Sequence, residues 1–426
     1  MISFCSTRDP ALLASAGEAL EVGLASDGGL FIPQSFPTID VAALPSESFQ
    51  EMAKMWLHAW LKGTEFEKDI SSVVDDALNF SVPIYRLDEN TAVLELFHGP
   101  TLSFKDYGAR TMARLLGQRL ARTGGNRIIL VATSGDTGSA VADGFAGIDG
   151  IQVVLLYPSG GVSEIQERQL IVERPNVQAL RVKGSFDDCQ QLVKGAFADP
   201  ALVGIPLSTA NSINIGRLLP QMLYYVWAVK HLQNNDIEFY VPSGNLGNMT
   251  AGVMTHLAGL SVHGLRAAHN ANDFYPAFLL DPSTAFGSTI QTLSNAMDVG
   301  APSNFERLQA LLNPAKMRQL IQGEVVSDQD TIASMQRVYE QYGYLADPHT
   351  AVGLEASRRF RLKSGEERLH VILSTAHPAK FPEVCERALG IKPVEPAQLA
   401  ALRDASTNVV DIGAQREHLA SVLLGL

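Results

Sequence analysis

Short apolar runs alternate along the chain with longer stretches in which apolar residues recur every three or four positions. The short runs are rich in Val, Ile and Leu, as is typical of strands buried on both faces of a parallel sheet. They predict strands at residues 93–97, 127–132, 151–156, 177–182, 237–241 and 369–373. The longer stretches predict helices at residues 106–120, 185–198, 213–232 and 330–342. This alternation predicts an α/β architecture with right-handed crossovers, in which ligands bind beyond the carboxyl ends of the strands.

The two ends of the chain differ from this alternating region. Residues 1–85 are predicted to be mostly helical, with a turn at residues 27–33 that leads into a short strand. Residues 391–426 have a helical pattern after two prolines, which indicates a packed tail. We therefore predict three parts, with the strands and helices of residues 86–390 forming the core between the other two.

The composition adds little to the fold but excludes several functional classes. Hydrophobic residues make up 46% of the chain and charged residues 18%, as expected for a globular protein. The net charge is −12 and there is no run of Lys and Arg, which argues against nucleic acid or an anionic membrane as the main partner. An anionic ligand would therefore have to be held by a few well-placed cations and backbone amides.

Three cysteines, Cys5, Cys189 and Cys385, lie far apart in the sequence. Their odd number and wide spacing indicate neither a disulfide framework nor a zinc site, and no metal is expected. The N-terminus lacks a basic region followed by an apolar core, and no apolar run is long enough to span a bilayer. We expect a cytoplasmic protein without a membrane partner.

The most informative stretch is His-Gly-Pro-Thr-Leu-Ser-Phe-Lys-Asp-Tyr at residues 98–107, which follows a predicted strand and precedes a helix. Leu102 and Phe104 would place Lys105 against an apolar wall. Desolvation there disfavours the ammonium and favours the free amine that a Schiff base requires. The alternative is a lysine whose aliphatic stem is buried while its amine reaches solvent from the first turn of the helix.

Two other predicted strands end in glycine-containing loops that open onto helices. Residues 133–139 combine small hydroxylated side chains with two glycines, and residues 242–250 contain Gly244 and Gly247. Hydroxyls and backbone amides at a helix N-terminus can hold a carboxylate or phosphate. The loop at residues 242–250 lacks the spacing of a dinucleotide-binding fingerprint. Each alone could be a helix cap or a structural turn, but two of them favour a site that binds two anions.

The predicted strand at residues 369–373 is followed by Ser374 and Thr375, either of which could form a hydrogen bond with the nitrogen of a bound ring. His377 and Lys380 come next, and they are candidates to support the site or to contact substrate. For His377 the favoured interpretation is structural, with the imidazole fixing the turn through bonds to its own backbone.

Together these motifs resemble the threonine synthase family, whose members are pyridoxal-phosphate (PLP) enzymes with the fold of the tryptophan synthase β subunit. The similarity covers nearly the whole chain. The motifs that carry it are at residues 28–33, 98–101, 104–106, 132–139, 210–214, 293–298 and 375–381. The resemblance implies an α/β catalytic core with two three-layer αβα subdomains, the smaller around residues 100–205.

The resemblance also implies how PLP is bound. Lys105 would form the Schiff base, the loop around Gly244 would bind the cofactor phosphate, and the hydroxyl of Thr375 would meet the pyridine nitrogen. A neutral hydroxyl there leaves the ring less electron-withdrawing than a carboxylate partner would. Asp136 stands where related enzymes carry an asparagine near the phenolic oxygen. The cofactor-binding residues implied in this way are Lys105, Asp136, Gly244, Asn245, Leu246, Gly247, Asn248 and Thr375.

The reaction implied is that of a lyase of threonine biosynthesis, the conversion of O-phosphohomoserine and water to threonine and phosphate. Lys105 would serve several proton transfers, because a desolvated lysine shifts its pKa readily. Arg217 could bind the phosphate in a bidentate fork. For Lys183 and Arg217 the alternative is an ordinary surface salt bridge. The substrate-binding residues implied in this way are Ser134, Thr137, Lys183, Asn211, Ser212 and Arg217.

Two other functions remain open at this point. A threonine or serine dehydratase, or a phospho-amino-acid lyase, would share Lys105 and the glycine loop but would not need Lys183 and Arg217 as phosphate cations. A catalytically silent homologue could act as a regulatory protein, although the intact Lys105 argues against this. We expect the protein to be a monomer or a homodimer.

Overall fold

The structure, a computed structural model, describes every residue from Met1 to Leu426, and three β-sheets organise it. The strands are β1 (Phe4–Ser6), β2 (Leu13–Ala14), β3 (Phe31–Pro33), β4 (Ile84–Arg86), β5 (Thr91–Glu95), β6 (Arg127–Ala132), β7 (Ile151–Pro158), β8 (Val177–Lys183), β9 (Leu207–Ser208), β10 (Ile237–Pro242), β11 (Gly264–His269), β12 (Ile321–Val325), β13 (Leu369–Ser374) and β14 (Val409–Gly413).

Eighteen α-helices connect and cover these strands. They are α1 (Ala16–Val22), α2 (Phe49–Leu61), α3 (Ile70–Ala77), α4 (Lys105–Thr123), α5 (Asp136–Gly144), α6 (Glu164–Ile171), α7 (Phe186–Phe197), α8 (Ile215–Leu218), α9 (Met222–Leu232), α10 (Gly247–Leu257), α11 (Phe274–Leu280), α12 (Phe305–Leu311), α13 (Pro314–Leu320), α14 (Asp328–Tyr342), α15 (Pro348–Ser364), α16 (Pro382–Leu389), α17 (Ala397–Ala400) and α18 (Arg416–Leu424). None of them combines the length and the apolar character needed to cross a membrane.

Two of the sheets form the α/β core. The larger has the order β12-β11-β10-β13-β5-β4 and is parallel except for β4, which pairs antiparallel with β5. The smaller has the order β14-β8-β7-β6-β9 and is entirely parallel. Alternate residues of β6 belong to different hydrophobic clusters, since Ile129 and Val131 pack on one face and Ile128 and Leu130 on the other. The fold is therefore α/β with two subdomains, as predicted.

All six predicted strands are present, and the bounds of β6 agree with the prediction. The pattern of apolar runs misses five strands of the two core sheets, namely β4, β9, β11, β12 and β14. Strand β12 lies at an edge of the larger sheet and contains Gln322, Gly323 and Glu324, which break the apolar run. Strand β14 lies at an edge of the smaller sheet, and most of its residues are partly or fully exposed. Edge strands escape this pattern because they are not covered on both faces, whereas β11 lies inside the larger sheet and is missed because Gly264, Arg266 and His269 interrupt its apolar residues.

The predicted helix at residues 213–232 is interrupted. It consists of α8 and α9, separated by a 3-10 helix at Leu219–Gln221. Pro220 lies in this turn, where its missing N–H group and its ring prevent a continuous α-helix. As a result Arg217 lies on a short separate helix.

The two ends of the chain pack on the core. The N-terminal segment contains the antiparallel sheet β2-β1-β3 in addition to its helices, and Trp56 and Trp60 of α2 are buried. Helix α2 packs on α9, and α3 packs on α4. At the other end β14 pairs with β8, and α18 packs on α7. The tail thus completes the smaller subdomain, while the exact boundaries of the three parts stay predictions.

Candidate functional site

A cavity of about 990 Å³, including its open mouth, lies beyond the carboxyl ends of strands from both α/β sheets. The loops after β5, β10 and β13 of the larger sheet and after β6 of the smaller sheet contribute to its wall. It brings together 13 of the 14 residues predicted for the site. They are Lys105, Ser134, Asp136, Thr137, Asn211, Ser212, Arg217, Gly244, Asn245, Leu246, Gly247, Asn248 and Thr375.

The remaining residue, Lys183, does not line this cavity. It is the last residue of β8, and its side chain is exposed. The neighbouring helix α7 does reach the cavity, through Phe186 and Gln190. A role for Lys183 in binding substrate stays a prediction that this arrangement does not support.

The loop that carries Lys105 is held by a buried carboxylate. Asp106 accepts hydrogen bonds from the backbone N–H of Thr101 at 2.9 Å and from its hydroxyl at 2.6 Å. A side chain at Gly99 would come within 2.4 Å of this carboxylate, so only glycine fits there. The backbone N–H of Phe104 donates to the carbonyl of Thr375, which ties the loop to the end of β13. The spacing of Gly99, Thr101 and Asp106 thus fixes the first turn of α4 and the direction of Lys105.

Lys105 begins α4, and its amine lies 4.8 Å from the centre of the Phe104 ring. Burial lowers the pKa of Lys105 to about 8; the charges of Arg217 and Lys380 act in the same direction, and that of Asp136 acts against it. The predicted desolvation is therefore present. Lys105 is partly exposed and lines the cavity, so its partial exposure is to the cavity and not evidence of an ordinary surface lysine.

The loop after β6 presents an ionised carboxylate to the cavity. Thr133 accepts hydrogen bonds from the N–H groups of Gly135 and Gly138, which forms the start of α5. Gly135 has φ of 126°, a conformation that favours glycine. Asp136 is the first residue of the helix, and its carboxylate forms a buried ion pair of 2.7 Å with Lys380. Although burial acts to raise the pKa of Asp136, Lys380 holds it well below its usual range.

The glycine loop after β10 has the features of an anion site. No backbone N–H between Gly244 and Asn248 donates a hydrogen bond within the protein, and α10 begins at Gly247. A Cβ atom at Gly244 would lie 2.8 Å from Met297 Cα. The amide nitrogen of the Asn248 side chain is buried without a partner, while its oxygen accepts bonds from two tyrosine hydroxyls. These free donors at a helix N-terminus suit a phosphate.

Arg217 is 2% exposed and forms no ion pair, so the surface salt bridge considered from the sequence is wrong for this residue. Its guanidinium donates to the carbonyl of Ala210, and its Nε atom has no partner. Burial lowers the pKa of Arg217 to about 10, and Asp106 acts in the opposite direction. Because buried charges are normally paired, the Arg217 guanidinium is a candidate to bind an anion.

Asn211 and Ser212 line the same cavity as Arg217, and hydrogen bonds position both of them. The side-chain amide of Asn211 donates to the carbonyl of Ala132 at 2.9 Å. The hydroxyl of Ser212 accepts from Asn245 of the glycine loop at 2.6 Å and from Asn304 at 3.3 Å. The loop before α8 is therefore connected to both glycine-containing loops.

The structure distinguishes the hydroxyl groups that follow β13. Ser374 shares a hydrogen bond of 2.7 Å with Thr350, whereas Thr375 lines the cavity. His377 accepts from the N–H of Ala379 through Nδ1 and so caps the 3-10 helix Pro378–Lys380. The structural interpretation of His377 is confirmed, and Thr375 is the hydroxyl that remains free for a ligand.

Sequence reasoning missed one group on the cavity wall, the pair Asp347 and His349. Asp347 caps α15 and accepts a 2.7 Å bond from Nδ1 of His349. Nε2 of His349 then accepts from the N–H of Ala296, 3.2 Å away, which also lines the cavity. The only signal in the sequence is Asp-Pro-His-Thr, which indicates a helix start and not a site.

Comparisons with known proteins agree with this geometry. A family model described as "Pyridoxal-phosphate dependent enzyme" matches residues 83–375. Models of the threonine synthase N terminus and C-terminal part match residues 3–78 and 350–422.

Individual relatives extend over nearly the whole chain. The threonine synthase of Escherichia coli K12 is 40% identical over 401 residues, which is 92% of either chain. That of Haemophilus influenzae is 39% identical over 90% of this chain and 91% of its own. Crystal structures of the E. coli enzyme and of PLP-bound threonine synthase from Brucella melitensis each match with a TM-score of 0.92 over 99% of both chains, at 36% and 34% identity. The chain belongs to the threonine synthase family of pyridoxal-phosphate-dependent enzymes.

Proposed function

We propose that the enzyme converts O-phosphohomoserine and water to threonine and phosphate, with the cavity around Lys105 as its active site. The observation that supports this most directly is the buried, unpaired guanidinium of Arg217 in the same cavity as the amine of Lys105. A dehydratase would need the amine but would gain nothing from a buried cation that forms no ion pair. The substrate of the proposed reaction supplies the missing anion as its phosphate.

The residues present fit PLP. Lys105 offers a desolvated amine, the unpartnered N–H groups from Gly244 to Asn248 suit a phosphate, and Thr375 offers a hydroxyl for a ring nitrogen. When bound, PLP supplies an electron-accepting ring that stabilises negative charge on carbon atoms of the substrate. The protein must then position the substrate and move its protons.

Three sets of side chains would do this. Ser134 and Thr137, at the N-terminus of α5, are proposed to hold the substrate carboxylate. Arg217, with Asn211 and Ser212, is proposed to hold the substrate phosphate until it leaves. Lys105 is proposed to carry protons between adjacent substrate carbons, because an amine with a pKa near 8 is both a competent base and, once protonated, a competent acid at neutral pH.

The reaction is tested by giving the purified enzyme O-phosphohomoserine, threonine and serine in separate assays. We expect phosphate and threonine to form in equal amounts from the first substrate, with little keto acid from any of the three. Phosphate, threonine and keto acid are measured in the same samples. Keto acid as the main product would instead assign the cavity to a dehydratase or a phospho-amino-acid lyase.

The proposed role of Lys105 predicts that its amine loses its proton at a lower pH than an ordinary lysine. In full-length protein stripped of PLP, its amine should become reactive towards an acylating reagent with a midpoint near pH 8, because burial disfavours the ammonium. Lys54 is the control, since its ion pairs with Asp75 and Glu51 raise its pKa. Peptide mapping by mass spectrometry across a pH series measures both residues. PLP should protect Lys105 alone, and protection of a different lysine would contradict the assignment.

We further propose that the enzyme works in the reducing cytoplasm as a monomer or homodimer, without nucleic acid or membrane partners. The three cysteines are all free and buried, which suits a reducing compartment. The net charge of −12 supports a small-molecule substrate that is recognised locally.

A further inference from the structure

Lys380 occupies an unusual position for a lysine, because its whole side chain is buried. It ends the 3-10 helix Pro378–Lys380, which follows β13 of the larger subdomain. Its amine donates to the carbonyl of Thr101 at 2.9 Å and lies 2.7 Å from Oδ1 of Asp136. Asp136 begins α5 in the smaller subdomain, so this ion pair joins the two subdomains at the cavity.

Two buried glutamine side chains add hydrogen bonds to this connection between the subdomains. Gln166 of α6 donates to Oδ1 of Asp136 at 3.1 Å and accepts from Asn295 of the larger subdomain at 3.2 Å. Gln169, one turn further, donates to the carbonyl of Thr101 at 3.1 Å. Both glutamines are buried, and Gln166 packs so closely on Gly135 that a Cβ atom there would lie 2.6 Å from it. The position of Asp136 is therefore fixed from both sides of the cavity.

The position of Asp136 matters because its charge affects the protonation of the Lys105 amine. Asp136 of α5, Arg217 of α8 and Lys380 are the charged groups that act on the Lys105 amine. Asp136 in turn faces Lys105, Lys380 and His349 of α15. An unpaired carboxylate at Asp136 would favour the ammonium form of Lys105, and Lys380 opposes that effect by neutralising it.

We propose that Lys380 is a positioning residue for the reaction, which pins Asp136 across the two subdomains and balances its charge beside the Lys105 nitrogen. It has no need to touch substrate, because it acts through Asp136. This inference rests on the proposed role of Lys105 as the amine that binds PLP.

The test is a set of three variants of the holoenzyme, namely Lys380→Met, Asp136→Asn and the double variant. The protonation midpoint of the Lys105–PLP nitrogen is followed by visible absorbance against pH. In Lys380→Met the midpoint should rise by about one pH unit, because the Asp136 charge is no longer balanced. In Asp136→Asn it should fall, and in the double variant it should return towards the wild-type value. The acidic limb of the pH profile of kcat/KM should shift in the same direction as the protonation midpoint in each variant.

Controls separate this role from a general effect on folding. Lys380→Arg keeps the charge and should stay near the wild-type midpoint, and Lys392→Met changes an exposed lysine and should alter nothing. Midpoints that do not move, or that move in the same direction in both single variants, would overturn the inference. If Lys380→Met does not fold, Lys380→Gln, which removes the charge but keeps a hydrogen-bond donor for Asp136, takes its place, and its midpoint should also rise. Failure of the Lys105 assignment is recognised separately, because PLP would then be attached to another lysine in the wild-type protein.

Discussion

Replacing Lys105 with alanine should reduce the formation of threonine and phosphate by at least about 10³-fold, since the side chain proposed to bind PLP and to transfer protons is lost. The protein should remain folded. The amine forms no ion pair, because Asp136 is bound by Lys380, and burial lowers the Lys105 pKa to about 8. A lowered pKa means that the folded state disfavours the ammonium, so removing it should not reduce the free energy of unfolding at neutral pH.

Steady-state rates and thermal denaturation of the Lys105→Ala variant measure these two effects independently. Lys392→Ala is the matched control, because Lys392 is exposed and pairs only with Glu386 at the surface. A small primary amine added to Lys105→Ala should restore part of the activity by entering the space left by the side chain. Turnover at the wild-type rate in Lys105→Ala would exclude Lys105 as the reacting amine.

The central part of the fold could be predicted from sequence because buried parallel strands have a strong local pattern. Strand β6, with Ile128 to Ala132 buried, has apolar residues throughout and was located correctly. Strand β14 has no such pattern, since its register with β8 depends on a neighbour more than 200 residues away in sequence. The helical pattern of residues 213–232 continues through Pro220, and the prediction of one helix is wrong because this proline interrupts it.

The site was predictable where its chemistry follows a strand end. Lys105, Thr375 and the glycine loop all come directly after predicted strands, and parallel strands bring their carboxyl ends to one edge. The contacts of its supporting groups were not predictable, because each joins distant parts of the chain; Lys380 is a candidate to support the site from its sequence position, but its pairing with Asp136 could not be predicted. Lys380 reaches Asp136 across more than 200 residues, and His349 reaches the N–H of Ala296 across 53. Lys183 is the converse case, since it follows a predicted strand and yet does not line the cavity, so its role stays a prediction.

Arg217 provides the second test with a large expected effect, because its charge is buried and no carboxylate forms an ion pair with it. In Arg217→Met, kcat/KM for O-phosphohomoserine should fall by about 10²- to 10³-fold, the equivalent of losing two charge-assisted hydrogen bonds to phosphate. Arg217→Lys keeps the charge but lacks the planar fork of the guanidinium, so its kcat/KM should lie between those of the wild type and Arg217→Met. PLP affinity, measured by absorbance titration, should change little in either variant.

Stability should respond in the opposite direction from activity. Burial lowers the Arg217 pKa to about 10, so at neutral pH the folded state carries a charge that it disfavours, and methionine removes that charge at similar volume. Without substrate, the free energy of unfolding of Arg217→Met should therefore be equal to that of the wild type or higher, as measured by denaturant titration. Arg403→Met, at an exposed arginine paired with Glu395, is the control and should change neither property. Parallel losses of stability, PLP affinity and activity in Arg217→Met would show that this arginine supports the fold instead of the substrate phosphate.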